Sequence, residues 1–250
     1  MRSIIRNLAV EYEEQGSGPV VLMLHGWKQD VHTFDAITPA LASAFRVIRL
    51  DLPGFGGSET PPVGWNVSEY VVFVATFIQK LGITVDVLVG HSFGGRIALK
   101  GLGGGVLKAR RLVLVGSAGL TKKDTLRNHL FLVVAKIGKA GSAFLPFSLR
   151  EHLRRRLYTR AGSDLLDAGA MKETFLLTRG EELSSFAQKV RVPTLLIWGE
   201  EDSQTPLDQG KRFAELISGA KLVVLPKAGH FVHQEKAAEV AKLILDFSTV

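Results

Sequence analysis

The N-terminal part of the chain alternates between short apolar runs and helix-like stretches. Residues 8–14 alternate between apolar and polar side chains, which predicts a strand with one side facing water. Residues 20–24 are apolar without a break, as in a strand buried on both sides. Residues 33–44 carry apolar side chains at helical spacing and predict a helix, and residues 45–50 predict the next buried strand. Strand, helix and strand therefore follow one another from the start.

The same alternation continues through the middle of the chain. Residues 51–58 are too rich in glycine and proline for a regular element and predict a loop. Ser68 is predicted to cap the helix that follows it, and residues 85–89 predict a strand. A tight turn, a helix-compatible stretch at residues 96–100 and a strand at residues 111–115 come next. This order predicts a mostly parallel sheet with helices on both faces.

Between residues 116 and 188 the strand pattern stops. Two apolar helical faces take its place, formed by Leu126, Leu130, Val133, Val134 and Ile137 and by Leu149, Leu153 and Leu157. Strand patterns return only at residues 192–198 and 221–225. We therefore expect an α/β core made of residues 1–118 and 187–250, with a helical cap of residues 119–186 inserted between two strands.

Composition narrows the class of protein further. The 250 residues are 46% hydrophobic and 22% charged, which is enough to bury a full core. The chain has no cysteine, which excludes disulfides, thiol catalysis and cysteine-based zinc sites. Charges at Arg2, Arg6 and Glu11 interrupt any signal-peptide core, and no apolar run reaches the ~20 residues of a membrane span. We expect a cytoplasmic protein that is a monomer or a weak homodimer.

The basic charge is concentrated in the predicted cap. The formal net charge is +7, yet neither a stacking pattern of aromatic and basic residues nor a DNA-binding motif accompanies it, so no nucleic-acid partner is expected. Residues 121–160 hold ten Lys and Arg against two acids. A solvated helical face explains such a run in most cases. The other hypothesis is that the cap faces an anionic substrate.

Residues 90–94, Gly-His-Ser-Phe-Gly, fill the turn between a predicted strand and a predicted helix. In the pattern G-x-S-x-G the serine occupies a strained turn that exposes its hydroxyl above the edge of the sheet. The glycines are needed because strand and helix approach closely there. The five-residue pattern alone is weak, but the strand before it and the helix after it are the context that the motif requires. Ser92 is therefore the candidate nucleophile.

Four stretches resemble, in the same order, those of α/β-hydrolase fold proteins of the serine-hydrolase, cap-bearing kind. They are LHGW at 24–27, DLPGFGGS at 51–58, GHSFGG at 90–95, and a late acid and histidine in WGEEDSQTP at 198–206 and AGH at 228–230. The resemblance runs from about residue 8 to the C-terminal helix. It implies an α/β-hydrolase fold, with a mostly parallel sheet of about eight strands flanked by helices and an inserted helical cap.

A serine nucleophile needs a base that accepts and returns a proton near neutral pH, which histidine does. His230 follows the loop after the last predicted strand, where the chain returns to the C-terminal edge of the sheet. An acid must also orient that imidazole. Asp202 lies on the turn after residues 192–198 and gives the chain order Ser, Asp, His of this fold. Four further histidines are interpreted as surface or packing residues: His32, His129, His152 and His233.

The negative charge that develops during attack on an acyl group requires backbone N–H donors. The turn at the nucleophile supplies one from Phe93. By resemblance the second comes from Trp27, as in family members that carry HGW. His25, Gly26 and His91 are expected to line the site. The loop at residues 51–58 is interpreted as a structural wall beside the site, without a catalytic group. No cofactor or metal is implied.

The serine separates this chain from haloalkane dehalogenases and epoxide hydrolases of the same fold, which use an aspartate at that position. The leading hypothesis is a carboxylesterase that cleaves a small or medium carboxylic ester through an acyl-enzyme. The alternative is a C–C bond hydrolase of ring-fission dienones, or a lactonase or thioesterase with the same triad. HGW in place of a glycine-rich HGSGPG-like loop counts against C–C cleavage. A non-catalytic receptor is disfavoured because every triad position is filled.

Overall fold

The computed structural model describes residues 1–121 and 168–249. The two predicted helical faces between residues 126 and 157, and all the charged residues of the basic 121–160 stretch, lie outside the described residues. The last part of the predicted cap segment, from residue 168 onwards, lies inside them. The division into core and cap therefore stays a prediction.

The described residues form one sheet of eight strands in the order β1-β2-β4-β3-β5-β6-β7-β8. The strands are Arg2–Ile5 (β1), Leu8–Gln15 (β2), Val20–Leu24 (β3), Arg46–Leu50 (β4), Val85–His91 (β5), Arg111–Val115 (β6), Thr194–Gly199 (β7) and Lys221–Leu225 (β8). β2 pairs antiparallel with β1 and with β4, and every other neighbouring pair is parallel. The predicted mostly parallel sheet of about eight strands is confirmed. The short strand β1 was not predicted, because its four residues are largely exposed and show no alternation.

Helices cover both faces of this sheet, as predicted. They are Thr38–Ala42 (α1), Val67–Leu81 (α2), Phe93–Gly103 (α3), Lys172–Arg179 (α4), Ser184–Ala187 (α5), Leu207–Leu216 (α6), Val232–Glu235 (α7) and Ala237–Thr249 (α8). Alternate residues of β3 enter two different buried clusters, with Leu22 and Leu24 in one and Val21 and Met23 in the other. The first cluster contains residues of α2 and α3, and the second contains residues of α1 and α8. The central strands are therefore buried on both sides.

The predicted helix at residues 33–44 is wrong in its first half. The structure has a 3-10 turn at Val31–Phe34, capped by the Asp30 side chain, and α1 begins only at Thr38. Pro39 explains the interruption, since it has no N–H to donate to the preceding turn and is tolerated only at the start of a helix.

The predicted cap of α2 is also wrong, by two residues. Asn66, not Ser68, is the N-cap: its side chain accepts the Glu69 N–H at 3.2 Å, and the Glu69 carboxylate accepts the Asn66 N–H at 2.7 Å. This reciprocal pair satisfies two of the free donors at the helix start. The helix ends at Leu81, followed by Gly82 with φ of 60°. No helix within residues 1–121 and 168–249 combines the length and the apolar content that crossing a bilayer requires.

Candidate active site

The carboxyl ends of the parallel strands meet at one edge of the sheet, which is where ligands bind in open α/β folds. Trp27 follows β3, Ser92 follows β5, Asp202 follows β7 and His230 follows β8. The fold thus brings to one edge four residues that are far apart in the sequence.

Ser92 occupies a strained turn between β5 and α3. Its φ is 49° and its ψ is −108°, a conformation that L-residues rarely adopt and that costs about 1–3 kcal/mol. The flanking glycines make the turn possible: a Cβ on Gly90 would lie 2.6 Å from the Gly95 Cα, and a Cβ on Gly94 would clash with the Leu24 carbonyl oxygen. The geometry is that of a nucleophile elbow.

The end of β6 connects this turn to the acid and the base. The Ser92 N–H donates to the Val115 carbonyl oxygen at 3.1 Å. The next residue, Gly116, has φ of +48°, and a Cβ there would lie 3.2 Å from Asp202 Oδ2 and 3.4 Å from His230 Nδ1. Glycine is favoured there because it adopts this backbone conformation without strain and keeps the space beside both groups free of a side chain.

Asp202 and His230 form a buried hydrogen-bonded pair. His230 Nδ1 lies 2.8 Å from Asp202 Oδ2, and the two residues are 7% and 5% exposed. Asp202 Oδ1 accepts the backbone N–H groups of Gln204 and Thr205, both at 2.9 Å. Because Nδ1 carries the proton that Asp202 accepts, the neutral ring leaves Nε2 as a proton acceptor.

The two amides predicted to stabilise negative charge are those of Trp27 and Phe93. Neither N–H has a hydrogen-bond acceptor within residues 1–121 and 168–249. Phe93 is the first residue of α3, so its N–H has no partner inside the helix. The side chains of Trp27 and Phe93 pack edge to face, with ring centroids 5.5 Å apart. This contact links the loop after β3 to the start of α3, the two segments that carry the amides.

Trp27 also belongs to an aromatic wall. Its ring lies 4.9 Å from Phe55, in the loop after β4, and 5.2 Å from Phe175, in α4. Thr174 next to it accepts the Trp65 N–H at 3.0 Å and so fixes α4 to the core. Sequence reasoning missed Phe175, because nothing in the pattern of the predicted cap says which helix returns to the site.

His25 and Gly26 lie directly after β3, as predicted, but His25 is fully buried and both of its ring nitrogens bond to the backbone. Nδ1 donates to the Gly26 carbonyl oxygen at 2.7 Å, and Nε2 accepts the Leu52 N–H at 2.9 Å. Burial lowers the pKa of His25 to about 4, which keeps the ring neutral. His25 therefore fixes the loop after β4 in place.

The loop after β4, at residues 51–58, is held in place by several hydrogen bonds. Asp51 Oδ1 accepts the Val31 N–H and Oδ2 accepts the Gly57 N–H, each at 2.7 Å. Burial raises the pKa of the Asp51 carboxyl. The buried Tyr70 hydroxyl donates to the Pro53 carbonyl oxygen at 2.9 Å. These bonds fix the loop from three sides and leave Asp51 bound to backbone.

His91 lies behind the base. Its Nδ1 donates to the Val115 carbonyl oxygen at 3.0 Å, and its ring centroid is 4.8 Å from that of His230 and 4.3 Å from that of His233. Burial lowers the pKa of His91 well below its usual value and that of His233 to about 3. Both rings are therefore neutral near pH 7, and His233 is a packing residue as predicted.

Within the described residues, one set of metal-ligating side chains is close enough to share an ion: Glu13, His32 and Asp35. Arg49 forms ion pairs with both carboxylates, so a protein cation already balances them. This set contains none of the predicted site residues.

Comparison with known proteins identifies the family of the chain. A sequence model of the alpha/beta hydrolase family matches residues 21–243, and the chain belongs to that family. The uncharacterized hydrolase YugF of Bacillus subtilis is 27% identical, over 96% of this chain and 94% of its own length. The 2-hydroxy-6-oxo-6-(2'-aminophenyl)hexa-2,4-dienoic acid hydrolase of Metapseudomonas resinovorans is 26% identical, over 94% of this chain and 86% of its own length.

A solved structure shares the fold over the whole chain. The esterase of Exiguobacterium antarcticum superimposes with a TM-score of 0.78 at 23% identity, covering 100% of this chain and 99% of that one. The α/β-hydrolase fold is therefore confirmed. At this identity the likeness concerns the fold and not the substrate.

Proposed function

We propose that this hydrolase cleaves a small or medium carboxylic ester, with Ser92 as nucleophile, His230 as base and Asp202 as the orienting acid. The observation that carries the proposal is the buried 2.8 Å bond from His230 Nδ1 to Asp202 Oδ2 at the sheet edge where Ser92 occupies its strained turn. Such a pair has little purpose in a receptor, since it orients a ring whose second nitrogen can accept a proton, at the sheet edge that also carries the candidate nucleophile.

In the proposed reaction, Ser92 Oγ attacks the acyl carbon while His230 Nε2 takes the hydroxyl proton. The carbonyl oxygen becomes an oxyanion, which accepts hydrogen bonds from the Trp27 and Phe93 amides. His230 then gives its proton to the leaving alcohol as the C–O bond breaks. A water molecule attacks the acyl-serine with the same base, and this step releases the acid and restores Ser92.

C–C bond cleavage is the second candidate. It is supported by the 26% identity, over 94% of the chain, to a relative named as a dienoic acid hydrolase. The HGW stretch after β3 counts against it, since it stands in place of a glycine-rich loop. We favour ester cleavage because the residues require nothing more specialised.

The test is a panel of chromogenic esters of increasing acyl length, together with a lactone, a thioester and a ring-fission dienone. We expect the highest kcat/KM on short or medium esters. Ser92→Ala should lose roughly 10³-fold or more in kcat, since the acyl intermediate cannot form. Ser117→Ala is the matched control, because it removes a buried hydroxyl beside the same turn. Within residues 1–121 and 168–249 that hydroxyl bonds only to the Ala118 carbonyl oxygen.

Wild-type turnover in folded Ser92→Ala would rule out the mechanism. A higher kcat/KM on the dienone than on any ester, lost in Ser92→Ala, would support the triad but show that the bond cleaved is a C–C bond and not an ester bond.

A further inference from the structure

Thr205, which the sequence did not single out, lies between the acid, the base and the end of β6. We propose that Thr205 is a positioning residue that holds Asp202 and His230 in their working geometry; this inference rests on the proposed roles of those two residues. Its side chain is only 6% exposed, which leaves it almost no surface with which to contact a substrate.

The Thr205 hydroxyl contacts three groups at once. Oγ1 lies 2.8 Å from Asp202 Oδ2, 2.9 Å from the Gly116 carbonyl oxygen and 3.2 Å from His230 Nδ1. The backbone N–H of the same residue donates to the other carboxylate oxygen, Asp202 Oδ1, at 2.9 Å. Thr205 therefore touches both oxygens of the acid and the ring nitrogen that the acid orients.

The single hydroxyl proton can serve only one of two acceptors at a time. When Oγ1–H points to Asp202 Oδ2, it fixes the oxygen that accepts the His230 proton. When it points to the Gly116 carbonyl, the Oγ1 lone pairs face His230 Nδ1–H and offer a second acceptor. The first orientation fixes the acceptor of Nδ1–H and the second adds another acceptor, so both are compatible with the imidazolium that forms during catalysis.

Thr205 is itself held in place. Its carbonyl oxygen accepts the Nε1–H of fully buried Trp198 at 2.8 Å. Pro206, directly after it, precedes α6 and restricts the backbone at this point. The hydroxyl thus has a fixed position from which to constrain the acid turn, the base loop and the end of β6.

The test compares Thr205→Val, which keeps the shape without the hydroxyl, with Thr205→Ser, which keeps the hydroxyl. We expect Thr205→Val to lower kcat about 10- to 100-fold, as for a lost hydrogen bond to a charged group, with KM within about twofold. Thr205→Ser should restore kcat to within about threefold of wild type. The matched control is Thr194→Val, at the first residue of β7. Thr194 is 1% exposed, and among the described residues its hydroxyl bonds only to the Val192 carbonyl oxygen.

A second readout is the low-field proton NMR resonance of His230 Nδ1–H, identified by its loss in His230→Gln. We expect the resonance to shift or broaden in Thr205→Val, and to stay in Thr205→Ser and Thr194→Val. An unchanged resonance in Thr205→Val, or a kcat equal to that of Thr194→Val, would overturn the inference. The resonance is measured without a substrate, so it tests the role of Thr205 independently of the reaction. The proposed function would be overturned separately, if a serine-directed phosphonate failed to label Ser92.

Discussion

At the residue scale, three consecutive acids follow β7, and their surroundings separate them. Asp202 is buried, and its carboxylate accepts hydrogen bonds at both oxygens. Glu200 and Glu201 are exposed and stabilise the turn through their backbone. Their N–H groups donate to the carbonyl oxygens of Leu225 and Ala228, respectively. These two bonds join the acid turn to the base loop, while the Glu side chains remain in solvent.

We therefore expect Asp202→Asn to lower kcat by roughly 10³- to 10⁴-fold, because an amide no longer enforces the working tautomer of His230. Glu200→Gln and Glu201→Gln should stay within about tenfold of wild type, since they leave the backbone bonds intact. Steady-state kinetics on one chromogenic ester measures all three variants. A loss of kcat in one glutamate variant, with wild-type kcat in Asp202→Asn, would mean that this glutamate and not Asp202 orients His230.

The separate roles of single residues follow from the sequence only in part. The motif around Ser92 predicted its strained turn, because glycine spacing is a local signal. Thr205 carried no such signal, since its hydroxyl meets Gly116, which is distant in the chain, only after the sheet has formed. The same holds for His91 and His233, whose rings come together through tertiary packing.

At the element scale, strands were predicted more accurately than helix starts. The buried parallel strands β3 and β6 show short, nearly continuous apolar runs, which are typical of strands buried on both sides. The start of a helix depends on one side chain, and near α2 both Asn66 and Ser68 are of the capping type. Asn66 is the N-cap because the Glu69 carboxylate accepts the Asn66 N–H.

We expect Asn66→Ala to lower the free energy of unfolding by about 1 kcal/mol, the usual effect of removing an N-cap. Ser68→Ala, at an exposed position inside the helix, should stay within about 0.5 kcal/mol of wild type. Equilibrium unfolding in urea measures both values. A larger effect of Ser68→Ala than of Asn66→Ala would contradict the observed helix start.

At the scale of the whole molecule, three buried histidines make stability depend on pH. Burial lowers the pKa of His25 to about 4, that of His233 to about 3 and that of His91 well below its usual value. In the unfolded chain these side chains take up a proton at about pH 6.5, whereas in the folded chain they stay neutral at that pH. The unfolded state then binds more protons, so the free energy of unfolding falls as the pH falls below about 6.5.

For His25 the loss approaches about 3 kcal/mol by the time the pH reaches its folded pKa. We expect urea unfolding between about pH 7 and about pH 5 to show stability rising with pH, and His233→Gln to reduce that slope by up to about 1.4 kcal/mol per pH unit. His32→Gln is the control, because His32 is exposed and its hydrogen bond to Asp35 raises its pKa. An unchanged slope in His233→Gln would mean that folding does not lower the pKa of His233.

The central claim is that Ser92 Oγ is the atom that becomes acylated. Its most direct test is to treat the wild-type protein with a serine-directed phosphonate and locate the adduct by peptide mass spectrometry. We predict one adduct per chain, on Ser92, with labelling strongly slowed in His230→Gln and absent in Ser92→Ala. No adduct on the wild-type protein, or an adduct on another residue that persists in Ser92→Ala, would contradict the claim.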